Sequence, residues 1–302
     1  MNFFYLAHSV MSFECLKGMV SNGMIPELVV IHKDLEREKL RSEFYEPITR
    51  FCRDKNIKLT ETDNVNEISS GIEKFDTGIC VGFMNILNKE IFSVPVNGIY
   101  NLHCGRLPEY RGRAPISRSI MNGEQFLTIS MHKIDEGVDS GDVCIEREIK
   151  IENTDDVNSL YKKCSDLSSE LITDLLYQLE NHGLKFRKQI IAGPPNRKVG
   201  ENERRINWND SSLSVFNLIR AVTFPYPCAY SFYKGNKILF LGSEYPVMQD
   251  GHEYPAGVIK DISPEAVEIY CGKGSVRILK AADEGLNEIN FPEKIKTGEK
   301  FE

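Results

Sequence analysis

Four short apolar runs, Phe3–Ala7, Leu28–His32, Thr77–Phe83 and Ile99–His103, constrain this chain more than any other feature. Helical patterns separate them: Ser9–Asn22, ended by Gly23, a charged amphipathic stretch over Glu36–Lys55, and a weaker one over 64–75. A short strand, Ile57–Glu61, lies between the last two. Strands this apolar need cover on both faces, and parallel neighbours need crossover helices. The pattern predicts an α/β fold, a mostly parallel sheet with helices on both faces.

The next segment predicts a short helix over Pro115–Asn122, then strands over Phe126–Lys133 and Val143–Ile151 flanking an acidic loop. Thr154 or Asp155 caps a long helix with the apolar stripe Val157, Leu160, Cys164, Leu167, Leu171, Leu175 and Leu179; Gly183 ends it. Residues 191–207 turn polar and basic and read as a linker. A helix over Leu213–Val222 follows. The short strands Ala229–Tyr233, Ile238–Leu241, Ala256–Lys260, Ala266–Tyr270 and Val276–Lys280 then form a small, mainly β domain, an OB-like barrel. The boundaries are 1–190, 191–207 and 208–302.

Composition narrows the functional classes. The 302 residues carry 37 basic and 44 acidic side chains, so the net charge is 37 − 44 = −7, a poor match for wrapping a polyanion. No nucleic-acid partner is expected. The start lacks a basic n-region, and no apolar run approaches the roughly 18 residues that span a bilayer, so no membrane insertion is expected. Eight cysteines are scattered without a CxxC pair. That spacing argues against zinc or a disulfide framework and for a cytoplasmic protein. Ala7-His8-Ser9 stands where a glycine-rich dinucleotide turn would follow the first strand.

The chemistry concentrates at one strand end. Asn101 and His103 are two positions apart on one predicted strand and so share a face. An amide that donates to an oxyanion beside an imidazole that titrates near neutrality suits acyl transfer to an amine. A lone histidine is more often structural, and local sequence leaves the two readings even. Asp139 lies in Asp135-Glu-Gly-Val-Asp-Ser-Gly-Asp142, which reads equally as a solvated turn; its spacing matches no calcium loop, and no metal is assigned. Arg111 and Arg113 flank Gly112 as surface arginines or as forks for an anion.

These motifs resemble the formyltransferases that use N10-formyltetrahydrofolate. The resemblance rests on Asn101-Leu-His103, Leu107-Pro108, Tyr110-Arg-Gly-Arg-Ala-Pro115 and Gly137-Val-Asp139-Ser-Gly141. It continues in Ile206-Asn-Trp208, Ile219-Arg-Ala-Val222 and Pro225-Tyr-Pro-Cys-Ala229. It implies a Rossmann-like catalytic domain over 1–190 and an accessory small barrel. It implies His103 as acid/base, Asn101 steadying the tetrahedral intermediate and Asp139 orienting His103. Contacts to the donor would fall on Asn85, Ile86, Leu87 and Arg113, and on Asp135, Glu136, Gly137 and Val138. Gly105-Arg106 departs from the family's Ser-Leu, and Cys228 stands where the family has glycine.

The Arg-Gly-Arg-Ala-Pro turn and the small-domain motif resemble the branch that formylates nucleotide-linked amino sugars for lipopolysaccharide or O-antigen, and His32–Pro47 has mixed charge where the initiator-tRNA branch carries a basic insertion. That acceptor, and pairing into a homodimer, are expected from the resemblance. The alternative acceptor is methionyl-tRNA. A hydrolase would release formate without an amine, and a non-catalytic folate or sugar-nucleotide binding module would bind without turnover.

Overall fold

β1 (Phe3–Ala7) is buried at all five residues and leads into α1 (Val10–Ser21). Ser9 caps α1: its hydroxyl accepts the Ser12 amide at 3.2 Å while the Ser12 hydroxyl accepts the Ser9 amide at 2.9 Å, a reciprocal capping box. β2 (Leu28–His32), α2 (Glu46–Asp54), β3 (Lys58–Thr62), β4 (Thr77–Val81) and β5 (Ile99–His103) follow. Then come α3 (Pro115–Met121), β6 (Phe126–Lys133), β7 (Val143–Lys150) and α4 (Val157–Asn181). The computed structural model describes residues 1–32, 41–83, 85–246 and 255–302.

The seven strands run in the order β3-β2-β1-β4-β5-β6-β7. β1 pairs parallel with β2 and β4, β2 with β3, and β4 with β5; β6 joins β5 antiparallel. The order reverses between β1 and β4, the place where sheets of this kind open a crevice at their carboxyl ends. Phe4, Leu6, Val30, Ile72, Phe75 and Ile99 pack into one core cluster of the sheet. The predicted helix Glu36–Lys55 begins in residues 33–40, outside the described residues. Its described part is a π-type turn, Arg41–Tyr45, followed by α2, where Pro47 fits the first turn because no amide is needed there. β4 ends at Val81 rather than Phe83, because Gly82 turns the chain at φ +58°. The weak helix over 64–75 reduces to two single turns, Val65–Glu67 and Ser69–Ile72.

The chain divides into two compact units. The first comprises Met1–Arg113, Leu127–Ile149 and Tyr161–Asn196; the second, Ala114–Phe126, Lys150–Leu160 and Arg197–Glu302. The second unit holds α5 (Ser212–Ala221) and the strands β8 (Ala229–Tyr233), β9 (Asn236–Ser243), β10 (Ile259–Ile262), β11 (Val267–Tyr270) and β12 (Ser275–Ala282). They form an antiparallel sheet in the order β10-β11-β12-β9-β8. The last residues span its two edges: the Ile259 amide donates to Glu299 and the Glu302 amide to Phe232 on β8. Trp208 is buried against Phe240 and Phe301, and its indole N–H donates to Ser231 at 2.9 Å. β10 starts at Ile259, three residues after the expected Ala256. Cys228 is not among the described residues with left-handed φ, so its side chain brings no backbone strain. Among the described residues, no helix is long and apolar enough to cross a membrane.

Candidate active site

The alternation of β5 puts Asn101 and His103 on one face at the carboxyl end of the strand. The antiparallel register of β6 sets His132 opposite Asn101 and Ser130 opposite His103. The loop between β6 and β7 brings Asp139 to them, with φ +48°. Its Oδ2 lies 3.5 Å from His103 Nδ1 and accepts the Gly112 amide at 3.0 Å. Its Oδ1 accepts Asn101 Nδ2 at 3.2 Å and lies 3.3 Å from His132 Nε2. The three residues expected to act together are therefore in one network, and His132 is a fourth member that the motifs did not single out. Its signal was available: Ser130 and His132 alternate on the strand predicted over 126–133.

Chemistry fixes the protons. His103 Nε2 lies 2.8 Å from the Tyr110 carbonyl, which can only accept, so Nε2 carries the hydrogen and Nδ1 is the nitrogen able to gain one. His132 Nδ1 likewise donates to the Lys133 carbonyl at 3.1 Å, which leaves its Nε2 to accept from Asn101 Nδ2, also at 3.1 Å. Both amide hydrogens of Asn101 are thus committed at rest, one to a carboxylate and one to a ring nitrogen. Burial pulls the His103 pKa below its ordinary value, against the Asp139 charge and the Tyr110 carbonyl, which raise it. Burial pushes Asp139 upward, but the His103 charge and the Gly112 amide outweigh it and hold the carboxyl well below the usual range. At neutral pH the arrangement is a neutral imidazole beside an ionised carboxylate.

The residues named for donor binding lie on loops of the first unit. Ile86 and Val138 are exposed, at 72% and 39%, whereas Leu87 is buried. Asn66 holds the 86–88 turn, donating to the Ile86 carbonyl at 3.1 Å and accepting the Asn88 amide at 2.9 Å; Asn85, partly buried, precedes that turn. Asp135 folds its own loop by accepting the Gly137 amide at 3.1 Å and Ser140 Oγ. Glu136 pairs with Lys89 at 3.5 Å. Arg113 is exposed, and its amide donates to Asn196. A cavity of about 830 Å³, lined among others by Lys89, Phe92, Lys133, Asp135, Glu136 and Phe186, takes in two of these residues and none of Asn101, His103 and Asp139.

Comparison with known proteins shows the family. The Formyl transferase family model matches residues 15–176 and the Formyl transferase, C-terminal domain, model matches 198–297. The methionyl-tRNA formyltransferase of Thermodesulfovibrio yellowstonii is 30% identical over 298 residues, covering 95% of this chain and 90% of that protein. Among solved structures, HypX from Aquifex aeolicus in complex with tetrahydrofolic acid aligns with TM-score 0.63 at 18% identity; it covers 96% of this chain, which spans 46% of HypX. An N-formyltransferase from Helicobacter canadensis in complex with folinic acid and dTDP-3-aminofucose aligns with TM-score 0.65 at 17% identity, covering 92% of this chain and 99% of that one.

These relatives overturn the expected acceptor. Methionyl-tRNA formyltransferases match at 28–30% identity over 82–95% of the chain, whereas the amino-sugar enzyme shares the fold alone. The nucleotide-linked amino sugar, and with it a role in lipopolysaccharide or O-antigen synthesis, does not stand.

Proposed function

The chain belongs to the formyl transferase family, and from that premise we propose that it formylates the amino group of methionyl-tRNA. It is an N-formyltransferase, and N10-formyltetrahydrofolate is the formyl donor. The 30% identity to a methionyl-tRNA formyltransferase across 95% of the chain is the observation that carries the acceptor. Local charge supports it against the net −7. Between 185 and 205 the sequence holds Lys185, Arg187, Lys188, Arg197, Lys198, Arg204 and Arg205 against only Glu201 and Glu203. A phosphate senses charge within a Debye length of about 8–10 Å, so a basic segment can bind RNA on an acidic protein.

Exposed Ile86 and Val138 offer apolar surface for a flat pterin ring on two of the loops assigned to the donor. N10-formyltetrahydrofolate supplies the electrophilic formyl carbon. Asn101 donates to the oxyanion that forms there, releasing first the neutral bond to His132, because its bond to the Asp139 carboxylate is charge-assisted and stronger. As the methionyl amine bonds to the formyl carbon, His103 accepts its proton at Nδ1, the Asp139 carboxylate 3.5 Å away stabilises the imidazolium, and the proton passes to N10 as the C–N10 bond breaks and tetrahydrofolate leaves. Residues 1–190 carry this chemistry, and 208–302 serve as an accessory unit. Eight free thiols and this acceptor support a cytoplasmic enzyme.

The test is transfer of labelled formyl from N10-formyltetrahydrofolate to methionyl-tRNA, followed by mass spectrometry of the released aminoacyl group. Formylmethionine that disappears with His103→Ala supports the proposal. Formate release with no acceptor modified would replace it with a hydrolase.

A further inference from the structure

Gln189 lies in the extended stretch that follows α4 in the first unit. Arg187, two residues before it, exchanges both backbone hydrogen bonds with Val143 at the start of β7. That anchor delivers the Gln189 side chain to the acidic loop, where Nε2 donates to the Asp139 carbonyl at 3.0 Å and to the Gly141 carbonyl at 2.6 Å. Both neighbours are acceptors, so the orientation of the amide is fixed: its two hydrogens face the loop. Gln189 Oε1 is buried with no hydrogen-bond partner.

We propose that Gln189 is a positioning residue for Asp139. The left-handed backbone at Asp139 is unfavourable for a residue with a Cβ and persists only where neighbours hold it. Gln189 holds it from both sides, through the carbonyl of the residue itself and that of the residue two further on. The carboxylate direction follows from that backbone, and so do its 3.5 Å approach to His103 and its bonds to Asn101 and Gly112. The orphaned Oε1 shows a side chain kept for its donors at the expense of its acceptor. This assignment rests on the reading of Asp139 as part of the transfer site.

The experiment compares Gln189→Ala with Asn196→Ala. Asn196 makes a bond of the same kind in the same stretch, donating Nδ2 to the Glu109 carbonyl at 3.2 Å, but does not touch Asp139. His103 titration is followed by NMR on ring-labelled protein without substrate; the titratable groups facing that ring are Asp139 and His132. In Gln189→Ala the carboxylate is less well aimed, so the His103 midpoint falls by about half a pH unit or more. kcat on methionyl-tRNA drops roughly ten-fold, with KM for the donor unchanged. Asn196→Ala leaves the midpoint in place. If Gln189→Ala does not fold, Gln189→Met keeps the volume without the donors and gives the same readout. An unmoved His103 midpoint in a folded Gln189 variant overturns the proposal. Failure of the wild-type protein to formylate methionyl-tRNA would overturn the acceptor reading instead, and the titration would still decide the role of Gln189.

Discussion

Asn101 and His132 face each other across the antiparallel β5–β6 ladder and reach the same oxygen, Asp139 Oδ1, at 3.2 and 3.3 Å. Their own contact, Nδ2 to Nε2 at 3.1 Å, closes the triangle. The Asn101 amide is thereby held by a second strand and not by its own alone.

Replacing His132 tests how much that support matters. His132→Leu keeps most of the volume of a residue only 2% exposed and leaves one Asn101 hydrogen without its acceptor. The amide is then free to rotate away from the reacting carbon. We expect kcat to fall roughly ten-fold, or about 1.4 kcal/mol of transition-state stabilisation, with the thermal midpoint close to that of the wild type. Steady-state kinetics and a melt decide it; unchanged kcat would reduce His132 to core packing.

The two depressed pKa values fix how acid acts on the fold. Burial lowers His103 below its ordinary 6.5, so the unfolded chain takes that proton first as pH drops. The contribution of neutral His103 is complete above about 6.5 and declines below it, towards the folded value. Asp139, held below its ordinary 3.8, contributes fully above that value and loses its share further down. Urea unfolding should show stability falling from pH 7 to pH 5, then again below pH 4. His103→Phe should flatten the first decline and Asp139→Asn the second. A wild-type stability that rises between pH 7 and 5 would contradict the assignment of His103 as buried and neutral.

The parallel sheet was legible in its short apolar runs: β1, β2 and β5 fall on the residues the pattern predicts, as do the antiparallel β6 and, in the second sheet, β8. Segments with weak patterns were not, and 64–75 broke into two turns although Val65, Ile68, Ile72 and Phe75 recur at helical spacing, because Asn64, Asn66, Ser69, Ser70 and Gly71 among them are weak helix formers. Asn101 and His103 were visible as neighbours on one strand, and their meeting with Asp139 followed from the resemblance. His132 and Gln189 were not seen, because one depends on the register of an antiparallel pair and the other on a side chain crossing 50 residues of sequence to a loop carbonyl. The acceptor was misread because net charge averages over the whole surface, whereas a phosphate backbone responds to local charge.

The basic segment predicts salt dependence. Arg197 and Lys198 are exposed, and Arg197 contributes its backbone carbonyl, not its side chain, to the bonds with Arg118. Their side chains are therefore available to phosphates. Arg197→Ala/Lys198→Ala should raise KM for methionyl-tRNA with little change in kcat, and should flatten the slope of log KM against log salt by about one for each phosphate no longer neutralised. A slope equal to that of the wild type would remove this segment from the RNA-binding surface.

Gly141 shows how tightly the acidic loop is built. An added Cβ there would overlap the Lys133 carbonyl oxygen, a backbone atom that cannot swing aside as a side chain could. The Lys133 amide in turn donates to the Asp142 carbonyl at 3.0 Å, which ties the two chain segments together. Gly141→Ala must therefore push the loop outward, carrying Asp139 away from His103 and pulling the Gly141 carbonyl off Gln189. We expect a stability loss of about 2–3 kcal/mol and a fall in kcat that persists at temperatures where the variant is fully folded. Gly183→Ala is the contrast: its φ is +70° with nothing within 4 Å of an added Cβ, so it should cost only about 1 kcal/mol of backbone strain and leave kcat alone. Equal kcat in the two folded variants would mean that the loop tolerates displacement and that Asp139 need not be held where it is found.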